Sequence, residues 1–290
     1  MRTAEIIEAH RQAGRPFTAA GVRSFVREEG SGPAVFCVHG MWGSSFLYRK
    51  VLHELAARGL RAIAVDMPGF GLAERPPAYD YSWSGLGRFC VAAVEALGLD
   101  RIHLIVHDIG GPVGFELATA GPERVLSLTI LNTMIDVTAF KPPWSMEPFR
   151  HRGIGELWLA GMSKPLFRRL MKLQGIGDTA HVSNAELDTY LELMKGDDRG
   201  RAFLRIMRST ERTPEKQALY RRAVRDVPYP VQIVWAADDP ALKLAEYGER
   251  ARAAAGLDTV STVRAKHFLQ EDQAAAIADH VARLARSVAA

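Results

Sequence analysis

The sequence predicts an α/β fold: a mostly parallel central sheet flanked by helices, with a helical cap inserted into it. Three observations carry that prediction. Near-continuous apolar segments alternate with helix-patterned ones over residues 1–134, as buried parallel strands and their crossover helices do. The alternation stops over residues 135–225 and resumes in 226–290. Finally, IVHDIGGPVG reads as strand, sharp turn and helix, with Asp108 at the tip of the turn.

Taken in order, MRTAEIIEAHRQAGRPF carries acids and bases throughout and reads as a short amphipathic helix, not a secretory signal. VRSFVREEGSGPAVFCVHG reads as two strands joined by a Gly30–Gly32 hairpin turn. LHELAARGL is a helix ending at Gly59, and RAIAVDMPGFG is a strand running into a Pro-Gly turn. SGLGRFCVAAVEALGL has helical periodicity and stops at Gly98. RIHLIVH is a strand, GGPVGFELATAG a helix and VLSLTILN a strand. The cap is rich in Met, Arg, Trp and Leu at helical spacing. It is bounded by KPPW and DVPYP, both loop signals. PVQIVWAADDP then resumes the sheet, TVSTVRAKHFLQED gives a last strand and loop, and QAAAIADHVARLARSVA closes with a helix.

Bulk properties exclude several functions. The 37 Lys and Arg are scattered among 33 acids for a net charge of +4, and no nucleic-acid module accompanies them. The pairs Arg168-Arg169 and Arg221-Arg222 read as solvated helix faces. Cys37 and Cys90 fall in apolar segments and read as small core residues, without disulfide or metal spacing. No apolar run reaches the roughly 18 residues of a membrane span. HDIGGPVG lacks the glycine spacing of a dinucleotide site. The expectation is a cytoplasmic protein that binds neither nucleic acid nor membrane and needs no metal or cofactor. The oligomeric state stays open.

Asp108, Asp239 and His267 each follow a strand, in the order nucleophile, acid, histidine. Strand carboxyl ends gather at one edge of a parallel sheet, where ligands bind. Asp108 has a plainer reading as the N-cap of the helix after it. Asp238 and Asp136 compete with Asp239 for the acid role. A carboxylate is already anionic at neutral pH, and suits displacement at a saturated carbon that bears a leaving group. His267 would then activate water against the resulting ester, with Asp239 orienting it. His107, beside the turn, reads as structural, and His103 and His181 as core or surface residues. Trp158 and Met162, four apart, share a helix face.

The motifs HGMWGSSFLYR from His39, DMPGFGLAERP from Asp66, VHDIGGP from Val106, ILNT from Ile130 and KHFLQED from Lys266 resemble those of α/β-hydrolases of the haloalkane dehalogenase and epoxide hydrolase group. WAADDP is similar to the Trp-Gly-x-x-Asp-Pro turn of that superfamily, which selects Asp239. The resemblance spans nearly all the core and the cap only loosely. It implies an Asp108–His267–Asp239 triad, an oxyanion hole of the backbone N–H groups of Met41 and Ile109, and a small apolar organic substrate attacked with water. Two departures stand out. Ile109 occupies the place where dehalogenases usually have a halide-binding Trp. Met41-Trp42 replaces their Asn-Pro or Glu-Pro, and Trp42 also breaks the proline pattern of epoxide hydrolases. A halide donor would then be Trp42, with Trp144 and Trp158 of the cap behind it. Epoxide opening would use a cap phenol, Tyr190 or Tyr220, although either tyrosine also reads as a packing residue with its hydroxyl at the surface. Carbon–halogen hydrolysis is the first expectation, epoxide hydrolysis the second, and a ligand-binding protein on a hydrolase scaffold the third.

Overall fold

In the computed structural model, which describes residues 1–289, eight strands form one sheet in the order β1-β2-β4-β3-β5-β6-β7-β8. Helix α1 (Thr3–Gln12) precedes β1 (Arg15–Ala19), β2 (Val22–Glu29) and β3 (Ala34–Val38). Helix α2 (Arg49–Ala56), β4 (Arg61–Val65), α3 (Trp83–Ala96), β5 (Ile102–Asp108), α4 (Gly110–Ala120) and β6 (Val125–Thr133) follow. Five helices come next: α5 (Ile154–Ala160), α6 (Lys164–Leu170), α7 (Asn184–Lys195), α8 (Arg201–Arg208) and α9 (Pro214–Arg222). The chain closes with β7 (Val231–Ala236), α10 (Glu249–Ala255), β8 (Ser261–Val263), α11 (Leu269–Asp272) and α12 (Ala274–Ala289). Strand β2 runs antiparallel to β1 and β4, and all other pairs are parallel.

Strand alternation divides the core. Phe36, Val38, Leu104 and Val106 face one apolar layer; Val35, Cys37 and Ile105 face the other, under α2 and α12. Both faces are covered, which is why these strands read as continuous apolar runs rather than alternating ones. Cys37 and Cys90 are free and buried, and no described helix is long and apolar enough to cross a membrane.

One sequence expectation fails at the amino-terminal edge, and one hairpin there was not foreseen. Gly30–Gly32 is not a hairpin turn, because β4 lies between β2 and β3 and pairs with both. The hairpin is instead β1–β2, missed because RPFTA is too short to display alternation. Its turn is Ala20-Gly21, both at positive φ (48° and 72°), the twist that two-residue hairpins favour.

Between β6 and β7 no described residue is in a strand. An N-cap seats α7 there: Ser183 Oγ accepts from Glu186 N–H (3.2 Å), and Glu186 Oε2 accepts from Ser183 N–H (2.8 Å). The helical segment is tied to the rest by buried charge. Glu271 of α11 holds Arg49 and Lys50 of α2 and accepts from the Tyr190 hydroxyl of α7, while Arg49 also reaches Glu186 at 2.8 Å.

Candidate active site

Asp108 sits at φ +54° where β5 hands over to α4, a left-handed conformation uncommon for a residue with a side chain. The turn is tight. A Cβ on Gly111 would fall on Thr133 of β6, and one on Gly40 would fall on Asp108 itself. Only glycine lets β6 and the loop after β3 come so close. Asp108 does not cap α4. Its Oδ1 accepts from the backbone N–H of Met41, 67 residues away, at 2.7 Å. The Met41 loop is itself pinned by His39, whose Nδ1 bonds Gly40 O (3.0 Å) and whose Nε2 accepts from Met67 N–H (3.2 Å). Burial lowers the His39 pKa to about 4, so this histidine is a neutral strut.

His267 follows β8. Its Nε2 is 3.4 Å from Asp108 Oδ2, and its Nδ1 is 2.8 Å from Asp239 Oδ2. Asp239 is buried, whereas Asp238 is exposed. Asp239 also accepts from Ala241 N–H (2.7 Å), Leu242 N–H (3.0 Å) and Asn132 Nδ2 (2.6 Å). Asn132, at the end of β6, takes Ala236 N–H on its Oδ1 (2.8 Å) and so joins the two strands below the acid. Trp235 braces the same loop through Leu242 O (2.8 Å). Asp136 is held by Arg221 at 2.8 Å.

The electrostatics follow from this arrangement. Burial opposes charge on His267, but the two flanking carboxylates outweigh it and raise its pKa to about 10. Burial likewise pushes both carboxyls up, and the His267 charge and hydrogen bonds overcome it, so both lie below the ordinary aspartate value. His107 is buried and neutral, with its pKa pushed down to about 3 by burial and by His267. Its Nε2 bonds the His267 carbonyl at 2.9 Å, a structural role. His103 is buried on Ser127 (2.8 Å) and His181 is exposed.

A family model for the alpha/beta hydrolase fold matches residues 33–274. The chain belongs to the α/β-hydrolase family. The chain is similar to Bifunctional epoxide hydrolase 2 of Sus scrofa, 41% identical over 114 residues, which cover 39% of this chain and 20% of that protein. It is 36% identical to Haloalkane dehalogenase 2 of Mycobacterium bovis over 119 residues, 41% of each chain. The matches thus span less than half the length of these relatives. The solved structure of haloalkane dehalogenase DbeA from Bradyrhizobium elkani USDA94 superposes with a TM-score of 0.78 at 21% identity, covering 95% of this chain and 98% of that one. At that identity the likeness is one of fold.

In this hydrolase a cavity opens over Asp108 and His267, lined also by Met41, Ile109, Trp42 and Trp83. Trp42 sits at φ +56° with its ring 5.2 Å from that of Phe167 on α6. The indole N–H groups of Trp42 and Trp83 are buried and find no acceptor among the described residues. Trp83 was not a sequence candidate. Its signal was its place in the first turn of a crossover helix, which begins at the ligand-binding edge of a parallel sheet.

The other pocket candidates lie elsewhere. Trp144 is 63% exposed, carried outward in the loop that follows Pro142-Pro143. Trp158 donates its N–H to Ser145 O at 3.2 Å, and Met162 is buried nearby in sequence. The Tyr190 hydroxyl is buried in the Glu271–Arg49 cluster. The Tyr220 hydroxyl reaches Glu116 at 3.3 Å, with its ring behind Trp83. Neither hydroxyl is at the surface, because each finds a carboxylate under its helix. Among the described residues no tyrosine lines the cavity.

Proposed function

We propose that this hydrolase works through a covalent ester on Asp108 and cleaves a carbon–halogen bond in a small, largely apolar substrate. The observation that carries this reading is the pair of unpartnered indole N–H groups, Trp42 and Trp83, on the cavity that holds Asp108. Buried donors seldom go unsatisfied, and two of them suit a departing halide. They compensate for Ile109, which has no side-chain donor.

The two oxygens of Asp108 divide the work. Oδ1 is engaged by the Met41 N–H, so Oδ2 attacks the carbon and the halide leaves with the bonding pair. Oδ1 becomes the ester carbonyl and, in the next step, the oxyanion held by the Met41 and Ile109 N–H groups. Esterification removes the negative charge of Asp108, one of the two that keep His267 protonated. Its loss makes the imidazolium more acidic, although Asp239 remains, and His267 enters the next step after giving its proton to solvent. It then takes a proton from water, whose oxygen attacks the ester carbonyl; the tetrahedral intermediate collapses as the imidazolium gives that proton to the departing alkoxide, and the new carboxylic acid passes its own proton to His267, restoring carboxylate and imidazolium. Each turnover yields alcohol, halide and one proton. Residues 135–225 act as the cap over this cavity.

Intact-mass measurement of His267→Phe after exposure to haloalkanes and epoxides tests the reading. The expected adduct is an alkyl group without added oxygen. An adduct formed only from epoxides, with the oxygen retained, moves the activity to ring opening. No adduct on a folded variant leaves a binding protein.

A further inference from the structure

The cavity is chemically lopsided. The one acidic residue among its described lining, Asp108, comes from the sheet edge, and its cations, Arg150 and Arg212, come from the helical segment. Arg150 is neutralised by Glu147 at 3.0 Å. Arg212 has no carboxylate within 4.0 Å among the described residues. Its one side-chain hydrogen bond runs from Nη1 to the Phe140 carbonyl at 3.1 Å, which leaves most of its five N–H donors unused. The wall around it is Phe140, Pro142, Pro143, Met146 and Met207. Burial and the nearby Arg150 charge push the Arg212 pKa down, and the Glu147 charge offsets them only in part. A half-buried guanidinium with unused donors facing a cavity can take an anion, and its planar fork matches a carboxylate.

We propose that Arg212, flanked by Arg150, is a subsite for a carboxylate at the far end of the substrate. The preferred substrates are then acids with the halogen on the terminal carbon of a medium-length chain, not neutral haloalkanes. Two-carbon halo acids are poor substrates, since their carboxylate must sit beside Asp108. This substrate class rests on the reaction proposed above, but the subsite itself is testable without turnover.

Calorimetric titration with hexanoate and with hexan-1-ol compares two unreactive chains of equal length. Wild type is expected to bind hexanoate at least about tenfold tighter, the range of a hydrogen-bonded charge pair. That preference falls towards unity in Arg212→Gln and is partly kept in Arg212→Lys. Equal binding of acid and alcohol by wild type, or a preference in Arg212→Gln matching wild type, overturns the subsite. Bromide release from 6-bromohexanoate and from 1-bromohexane then reads the reaction separately. A hexanoate preference with no bromide release from either compound keeps the subsite and rejects the dehalogenation.

Discussion

Oδ1 and Oδ2 of Asp108 face different partners, and that asymmetry sets the behaviour of single residues. Asp108→Ala is expected to abolish turnover with the fold retained, since the turn depends on Gly110 and Gly111 packing against the ends of β3 and β6. Halide release and circular dichroism measure the two halves of that statement. Asp239→Asn is expected to cost far more activity than Asp238→Asn, because only Asp239 contacts His267. Equal and mild losses would remove Asp239 from the mechanism. Trp42→Phe and Trp83→Phe each delete one donor and leave a smaller aromatic ring in its place. A hydrogen bond to a charged group contributes ~1.5–3 kcal/mol, so chloride release should slow roughly tenfold to a hundredfold. Iodide release should slow less, which a chloride-to-iodide rate ratio would reveal. At this scale the sequence was informative where chain order and chemistry coincide, as for Asp108, Asp239 and His267. It was silent on Asn132, whose amide looks like any strand-end polar group until β7 is beside it. It was also silent on Arg212, one arginine among many in residues 135–225.

Single elements are legible when their own residues set their period. The strands β3 to β7 and helices α3 and α4 need only apolar spacing and a capping or terminating residue. Pairing across the sheet is different, since the partner is chosen by where the crossover lands. Gly30–Gly32 has hairpin composition, yet β4 takes the place beside β2. Tyr190 and Tyr220 illustrate the same limit for helices: periodicity marks them as inward-facing, but their carboxylate partners come from α11 and α4. The Glu271 cluster is where elements meet, and its loss should be felt there. Glu271→Ala leaves the Arg49 guanidinium, which is 11% exposed, short of its main partner. Removing one member of a buried ion pair costs about 3–5 kcal/mol. The expected result is a lower melting temperature, with early proteolytic cuts in the segment carrying α7.

For the whole molecule, His267 links stability to pH. Its folded pKa is raised to about 10 from an ordinary 6.5. The folded state therefore binds the proton more tightly, and the stabilisation is fully present below about pH 6.5 and is lost as pH rises through about 10. Wild type should lose more melting temperature between pH 7 and 10 than His267→Phe does, and parallel curves would contradict the raised value. A second consequence comes from two backbone bonds. The N–H groups of His267 and Phe268 donate to the carbonyls of Gln174 (3.4 Å) and Gly175 (2.8 Å) in the helical segment. The helical segment and the loop that carries His267 are thus joined at one point. On the mechanism proposed above, a displacement of residues 171–175 would be expected to disturb the loop that aims the imidazole, so that opening the cavity and positioning the base would be coupled. Amide hydrogens at 267 and 268 should then exchange in step with those of residues 171–175.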